Sequence, residues 1–431
     1  MRGGRPEHGE GGAATQARRP GSGTGRPVPG GRQRDQPSDQ EAAVPDATAR
    51  DVVTYYHHPV KGPLLRGVLL PLADRYRAQG LRVHLERHWL HGPHLRLRLD
   101  RSPGQPAGRQ VATAAEEAAE AVRGWLREHP SHSELTAAEL LAQAAAAGRV
   151  ELVPPPYTPV HPDNTVRVEP VDRSATRDLL GPDGTALRED LLRLGLSALH
   201  AGAEFLGEQQ DCAVARLQLL VSALAAHAAA HPGGLVGGHY SYVSHLEDHL
   251  LHEDPDGGLR AGFERQWQAA RPTVTALVAR IAAGELLDRE RPWAHWSAAA
   301  WQLTQHRFDA GADLTGRPAG YRERAAATGD QEQLARWSPE IRTRFSEFHQ
   351  LLRRSDPQGT MLTRPDYLVY RACTNGLYRL FTICDVRPVE RYLAAYLVTR
   401  AVPELTGHHW RDRLAEVVAA VEAGATVEAA S

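Results

Sequence analysis

Leu81-Arg82-Val83-His84-Leu85-Glu86-Arg87-His88-Trp89-Leu90-His91-Gly92-Pro93-His94-Leu95-Arg96-Leu97-Arg98-Leu99-Asp100 carries an alternating run on each side of a turn. Leu81, Val83 and Leu85 are spaced by polar residues, and so are Leu95, Leu97 and Leu99 after His91-Gly92-Pro93. Strand side chains point to the two faces in turn, so the stretch reads as a β-hairpin with one apolar and one ionic face. Upstream, Val52, Val53, Tyr55 and Tyr56 predict a strand. A helix over Pro63–Gln79 follows, ended by Gly80 as a C-cap. Downstream, helices are expected at Gln110–His129 and Ser133–Ala147, with a short strand at Val150–Val153 before the proline run 154–159.

Beyond Asp172 the pattern turns helical. Thr185–Leu206 (N-cap Thr185), Cys212–Ala230, Tyr242–His252, Leu259–Ala283 and Trp293–Phe308 come first. After a polar loop follow Ile341–Arg354, Tyr367–Cys384, Pro388–Val402 and His409–Val427. The expected class is α+β: a small N-terminal antiparallel sheet layer (51–160) and a larger, mainly helical remainder (161–431). Residues 1–50 are rich in Gly, Pro, Arg, Gln and Ser without an apolar period, and are expected to be a disordered tail.

Composition narrows the function classes. Hydrophobic residues make up 42% and charged residues 24% of the 431, which suits a globular chain with a real core. A net charge of −2 lacks the basic excess of a nucleic-acid binder. No apolar run is long enough for a membrane span, and Met1-Arg2-Gly3-Gly4-Arg5-Pro6 is no secretory signal, so a cytoplasmic location is expected. Cys212, Cys373 and Cys384 form neither a disulfide framework nor a CxxC pair, and Lys61 is the single lysine. No phosphate-binding, nucleophile-elbow or kinase pattern occurs.

Three segments are candidates for chemistry. On the hairpin, His94, Arg96 and Arg98 share one face, as a carboxylate- or peptide-binding surface or as solvated arginines. In 237–249, Tyr242, Ser244 and His245 offer acid/base and hydrogen-bonding groups. The alternative there is a helix start capped by Ser241 or Ser244 with one histidine buried. His245 and His249 share a face with His252 nearby, but the spacing is not HExxH, and no metal is expected. In 367–378, Tyr367, Tyr370, Thr374, Leu377 and Tyr378 fall near one helical face, Arg371 and Asn375 are an i, i+4 pair, and a mid-helix Asn375-Gly376 calls for compensation by packing or function. A core aromatic stripe is the competing reading.

These segments resemble the lantibiotic dehydratase C-terminal elimination domain, also called the thiopeptide-type bacteriocin biosynthesis domain. Trp89 to Arg98 resembles its "dP-HLRlR" segment, and Ser241-Tyr242-Val243-Ser244-His245 its "S-x-x-SH" stretch. Tyr370 to Tyr378, followed by Val386-Arg387-Pro388-Val389-Glu390-Arg391-Tyr392, is similar to the "yR-N-lY … PveRyl" end of the thiopeptide pyridine synthases, a branch of the same fold. The likeness runs from about Val52 to Leu414. Two marks of glutamate-eliminating members are missing: the "ERYGG" arginine after Tyr157-Thr158-Pro159, and the histidine of "HMxxNR", where Arg371-Ala372-Cys373-Thr374-Asn375-Gly376 keeps only the asparagine.

The resemblance implies cofactor-free maturation of a ribosomally made precursor peptide, leader plus core. Two dehydroalanines would be joined by a formal aza-[4+2] cycloaddition, with loss of water and leader. It implies Tyr242, His245, Tyr370 and Asn375 as catalytic groups, and His94, Arg96, Arg98, Ser244, Arg371 and Tyr378 as substrate contacts. A separate dehydratase or azole-forming enzyme would be the partner, with no nucleic acid or membrane involved. Two rivals stand: a glutamyl-Ser/Thr β-eliminating lyase and a non-catalytic peptide-binding partner of a dehydratase.

Overall fold

The computed structural model describes residues 46–102 and 109–423. Most of the expected tail, residues 1–45, lies outside the described residues. Residues 46–50, assigned to that tail by composition, belong to the first strand. The chain runs β1 (Asp46–Tyr55), α1 (Gly62–Leu64), a π-helical turn (Leu65–Leu69), α2 (Leu70–Ala78), β2 (Arg82–His88), β3 (His94–Asp100), α3 (Arg109–Glu128), α4 (Ala137–Glu151) and β4 (Thr165–Val171). Helices α5 (Ser174–Leu194), α6 (Leu196–Glu208), α7 (Ala213–Ala229), α8 (Gly234–Glu253), α9 (Gly258–Ala282) and α10 (Arg291–Asp309) follow. Then come α11 (Pro318–Ala327), α12 (Gln331–Arg336), α13 (Glu347–Ser355), α14 (Pro365–Ile383), α15 (Pro388–Thr406) and α16 (Trp410–Glu422).

The hairpin forms as its alternation predicts and joins an antiparallel sheet of order β2-β3-β1-β4. Leu85, Leu97, Val52 and Val168 stand opposite one another on one face, which α2 and α3 cover. His84, Arg98, Asp51 and Glu169 form a row on the other, toward α5 and α14. That second face is neither solvated nor open to a ligand at Arg98. Arg98 is 3% exposed, with Nε and Nη2 each donating to Asp51 at 2.8 Å and Nη1 to Glu189 of α5 at 3.0 Å. Glu189 also accepts from Arg173 and Arg193, and Arg188 of α5 grips Glu86 at 2.9 and 3.0 Å. The helical layer is thus docked on the sheet through paired charges, each carboxylate compensated by a guanidinium.

Several local expectations are corrected. β4 is a strand beyond those expected, although Val166 and Val168 alternate with Arg167 and Glu169; it pairs with β1 from the other side of the expected boundary at 160. No strand forms at Val150–Val153, because α4 runs to Glu151 and ends on Leu152 at φ 57°. The segment Thr185–Leu206 is two helices meeting at Gly195, and Thr185 is no N-cap: its hydroxyl donates to Gly181 O within α5. α8 begins at Gly234, which puts Ser241 and Ser244 inside it and removes both as caps. The early start follows from packing. A Cβ on Gly238 would lie 2.5 Å from the Ala228 backbone, so only glycine lets α8 cross α7 this closely. The polar loop after α10 holds α11 and α12, the latter capped by Asp330 accepting from the Glu332 and Gln333 amides.

Candidate active site

α14 is the floor of the site. Its inner face, with Cys373, Leu377, Leu380 and Phe381, is in the core, while Asn375 and Arg379, one turn apart, are exposed. The unfavourable Gly376 has a packing reason. A Cβ there would sit 3.0 Å from Leu191 Cδ1 of α5 and 3.4 Å from Trp296 Cζ2 of α10. Asn375 beside it has no such duty.

α8 and α15 form one wall. His245 Nδ1 lies 3.3 Å from the Tyr378 hydroxyl. The Arg391 guanidinium covers the Tyr378 ring at 4.4 Å and the Tyr392 ring at 4.7 Å, and His249 stacks on Tyr392 at 3.7 Å. Burial, then the Arg391 charge, pushes the His245 pKa down to about 4. Burial raises that of Tyr378. At neutral pH the pair is an uncharged imidazole on an uncharged phenol, beside a permanent cation.

The sheet end forms the opposite wall. His88 and His94 are cross-strand partners with rings stacked at 5.8 Å. His94 is fully buried. Its Nδ1 bonds Gly92 O at 2.8 Å, which leaves Nε2 to accept Arg96 Nε at 3.0 Å. His94 therefore orients Arg96, which makes no ion pair among the described residues. Burial, then the charges of Arg96 and Arg379, hold the His88 pKa down to about 3. Arg379 is itself exposed, yet burial and the nearby Arg188 lower its pKa. The exposed Arg379, with charges of α5 and α15 around it, is taken as the bottom of the candidate recess. On the rim, Tyr321 of α11 stacks on Trp337 at 4.8 Å, and burial raises its pKa against the charges of Arg371 and Arg379.

The expected residues divide. His245, Tyr378, Asn375 and Arg96 line the recess, with His94 behind Arg96. Tyr242 and Tyr370 do not: they are 0% and 5% exposed, with hydroxyls donating to Leu224 O at 2.8 Å and His227 O at 3.3 Å. Both tie α7, α8 and α14 together. Arg98 is sealed in its ion pairs, and Arg371 is spent on the Leu314 and Thr315 carbonyls at 2.8 and 2.9 Å. Ser244 bonds His349 Nε2 at 3.1 Å, away from Tyr378. His252 bonds Glu332, and among the described residues no group of three or more His, Cys, Asp or Glu could hold a metal ion. Arg379, His88 and Tyr321 are not among the expected site residues, and Arg391 enters the sequence reading only within the "PveRyl" resemblance. For Arg379 the one signal is its place four residues after Asn375, lost among many arginines.

A model described as "Lantibiotic biosynthesis dehydratase C-term" matches residues 52–402. A comparison with curated protein sequences finds no match. Among solved structures, "Pyridine synthase, TbtD, from thiomuracin biosynthesis" is similar at TM-score 0.58 and 19% identity, over 84% of this chain and 99% of that one. "Crystal structure of TsrL" is similar at TM-score 0.52 and 20% identity, over 86% and 98%. At such identities the shared property is the fold. The family match runs from β1 into α15 and so takes in every wall of the recess; the chain belongs to the lantibiotic biosynthesis dehydratase C-terminal family.

Proposed function

We propose that this chain is a peptide-maturing enzyme of the pyridine-synthase type, which closes a ring between two dehydroalanines of a ribosomally made peptide and expels water and the leader. Such a reaction needs two alkenes held in attack geometry and a proton moved twice, off an amide and onto a leaving amide. The observation that carries the reading is the His245–Tyr378 pair at the recess wall. With the phenol donating into Nδ1, Nε2 holds a proton to give. With the roles reversed, Nε2 presents a lone pair. In the second state Nε2 takes the amide proton, giving a transient imidazolium with Nδ1–H held by Tyr378, and returns the same proton to the leaving amide, so the two transfers balance; the depressed pKa keeps His245 neutral otherwise and makes the imidazolium a ready donor. His245 is the proposed catalytic residue and Tyr378 a positioning residue behind it. Asn375 and Arg96 bind peptide backbone.

Glutamate elimination draws some support from Arg96, an uncompensated guanidinium beside a neutral histidine. It loses Arg98, which Asp51 and Glu189 already hold. The test feeds the pure protein a glutamylated peptide and a peptide already bearing two dehydroalanines, read by mass spectrometry. Release of a leader fragment from the second supports the proposal. Glutamate loss from the first with the second untouched rejects it for the lyase; both peptides unchanged rejects it for a non-catalytic partner.

A further inference from the structure

Arg391 sits at the centre of a layered stack on the wall that α8 and α15 form. Its guanidinium lies over the Tyr378 ring at 4.4 Å and over the Tyr392 ring at 4.7 Å. Tyr378 in turn meets His245 Nδ1 at 3.3 Å, and Tyr392 stacks on His249 at 3.7 Å with the planes 6° apart. Cation–π contacts engage the charge of the guanidinium, whereas its N–H bonds lie in its plane and remain free to donate. Among the described residues the Arg391 side chain makes no ion pair and donates no hydrogen bond, and its Nε is buried without a partner. The carboxylates close to it in the chain or on α8 are committed elsewhere: Glu390 to Arg216 and Arg387, Asp248 to Arg336 and Arg342. A sheltered donor without an acceptor is a cost that a bound oxygen would remove. His245, His249, Arg391 and Tyr392 are all half-buried, so the stack is within reach of a substrate.

We infer that Arg391 is a second catalytic residue, the donor that stabilises the negative charge forming on the oxygen of the reacting peptide amide while His245 takes its proton. This rests on the ring-closing reaction proposed above. In that step the amide N–H bond breaks, the proton goes to His245 Nε2, and the electron pair left behind spreads over nitrogen and oxygen; no other atom moves in or out. The product is an imidate, and its charge in a partly dry place calls for a donor that is already fixed. The two rings fix Arg391 in advance, and one of them is the phenol that also orients His245. Base and charge-stabilising donor are thus set by the same ring and keep their relative places. Arg96 is tied to His94 at 3.0 Å on the sheet side instead.

The test follows leader release from a peptide bearing two dehydroalanines, in single turnovers of the full chain across a pH range, by mass spectrometry. Arg391→Ala lowers the plateau rate above the acid limb by about 10²–10³, the usual loss for one charge-stabilising donor. Its affinity for the labelled peptide, read by anisotropy, stays close to that of the parent. Millimolar guanidinium chloride restores part of the plateau, and sodium chloride at the same concentration does not. Arg127→Ala, an exposed arginine on α3, reacts at the parent rate. Matching thermal transitions show that the variants fold; if Arg391→Ala does not, Arg391→Lys decides, with a plateau at least tenfold below the parent. A plateau equal to the parent's overturns the assignment, as does a loss carried wholly by weaker peptide binding, or equal rescue by sodium chloride. A merely structural Arg391 would move the thermal transition or the acid limb and leave the plateau. If the parent converts the peptide and Arg391→Ala matches it, the reaction reading stands and only the assignment fails; if the parent converts none, the reaction reading fails and the assignment falls with it.

Discussion

At the scale of single residues, burial sets the chemistry. His245 is ordinary in sequence, and its folded surroundings make it neutral: burial first, then Arg391, with Asp248 opposing. His245→Ala is expected to lower the rate of ring closure about 10²–10⁴-fold, with peptide binding kept. Tyr378→Phe should cost less, because water can serve His245 in its place. Since neutral His245 is the active form, kcat/KM should hold across neutral pH and fall as pH drops toward 4. Arg391→Gln removes a charge that opposes protonation, so its acid limb should move to higher pH. A limb that stays put would remove His245 from the mechanism. Lys61 gives a stability counterpart. It is 1% exposed, with Nζ bonded to His58 O, and burial lowers its pKa to about 7. Between there and the ordinary 10.5 the unfolded chain binds the extra proton, so stability rises with pH in that window. Below about pH 7 the charged amine is a constant cost. The stability of the parent relative to Lys61→Met should therefore rise by a few kcal/mol, order of magnitude, from pH 7 to 10, as read by urea unfolding.

At the scale of elements, two glycines and one arginine decide how helices meet. Gly238→Ala adds a Cβ 2.5 Å from a backbone that cannot swing aside. Alanine gains about 1 kcal/mol of helix propensity, but overpacking costs roughly 1–3 kcal/mol, so a net loss is expected by chemical denaturation. Gly258→Ala, whose Cβ would meet nothing within 4 Å, should be neutral or stabilising. Gly376 follows the same logic as Gly238 and explains a helix that propensity alone argues against. Arg98→Met leaves Asp51 and Glu189 facing each other in the core. It should cost about 3–5 kcal/mol, while peptide binding by the folded fraction stays as it was. A stable Arg98→Met that no longer binds peptide would return Arg98 to the site.

At the scale of the molecule, one apolar cluster runs from the sheet through the helical layer, with a small satellite of Val243, Phe348, Trp410 and Leu414. All described elements begin at Asp46. A chain starting at residue 43 should thus keep the same unfolding midpoint and the same binding, as circular dichroism and anisotropy would show. A lowered midpoint would mean that the preceding residues stabilise the fold.

The hairpin, the α+β class and most helix positions were legible in the sequence, because period 2 and period 3.6 are local patterns that report which face is apolar. β4 was legible too, in the alternation of Val166 and Val168 with Arg167 and Glu169. The motifs also marked segments of α8 and α14 as candidates for chemistry. Which of their side chains reach the recess was decided by tertiary structure alone. Tyr242 and Tyr370 carry the same phenol as Tyr378, and Arg98 the same guanidinium as Arg96. What separates them is the carbonyl or carboxylate that a distant segment brings against them: Leu224 O, His227 O, and Asp51 with Glu189. A sequence states what a side chain can donate or accept; only packing states whether a partner is already there.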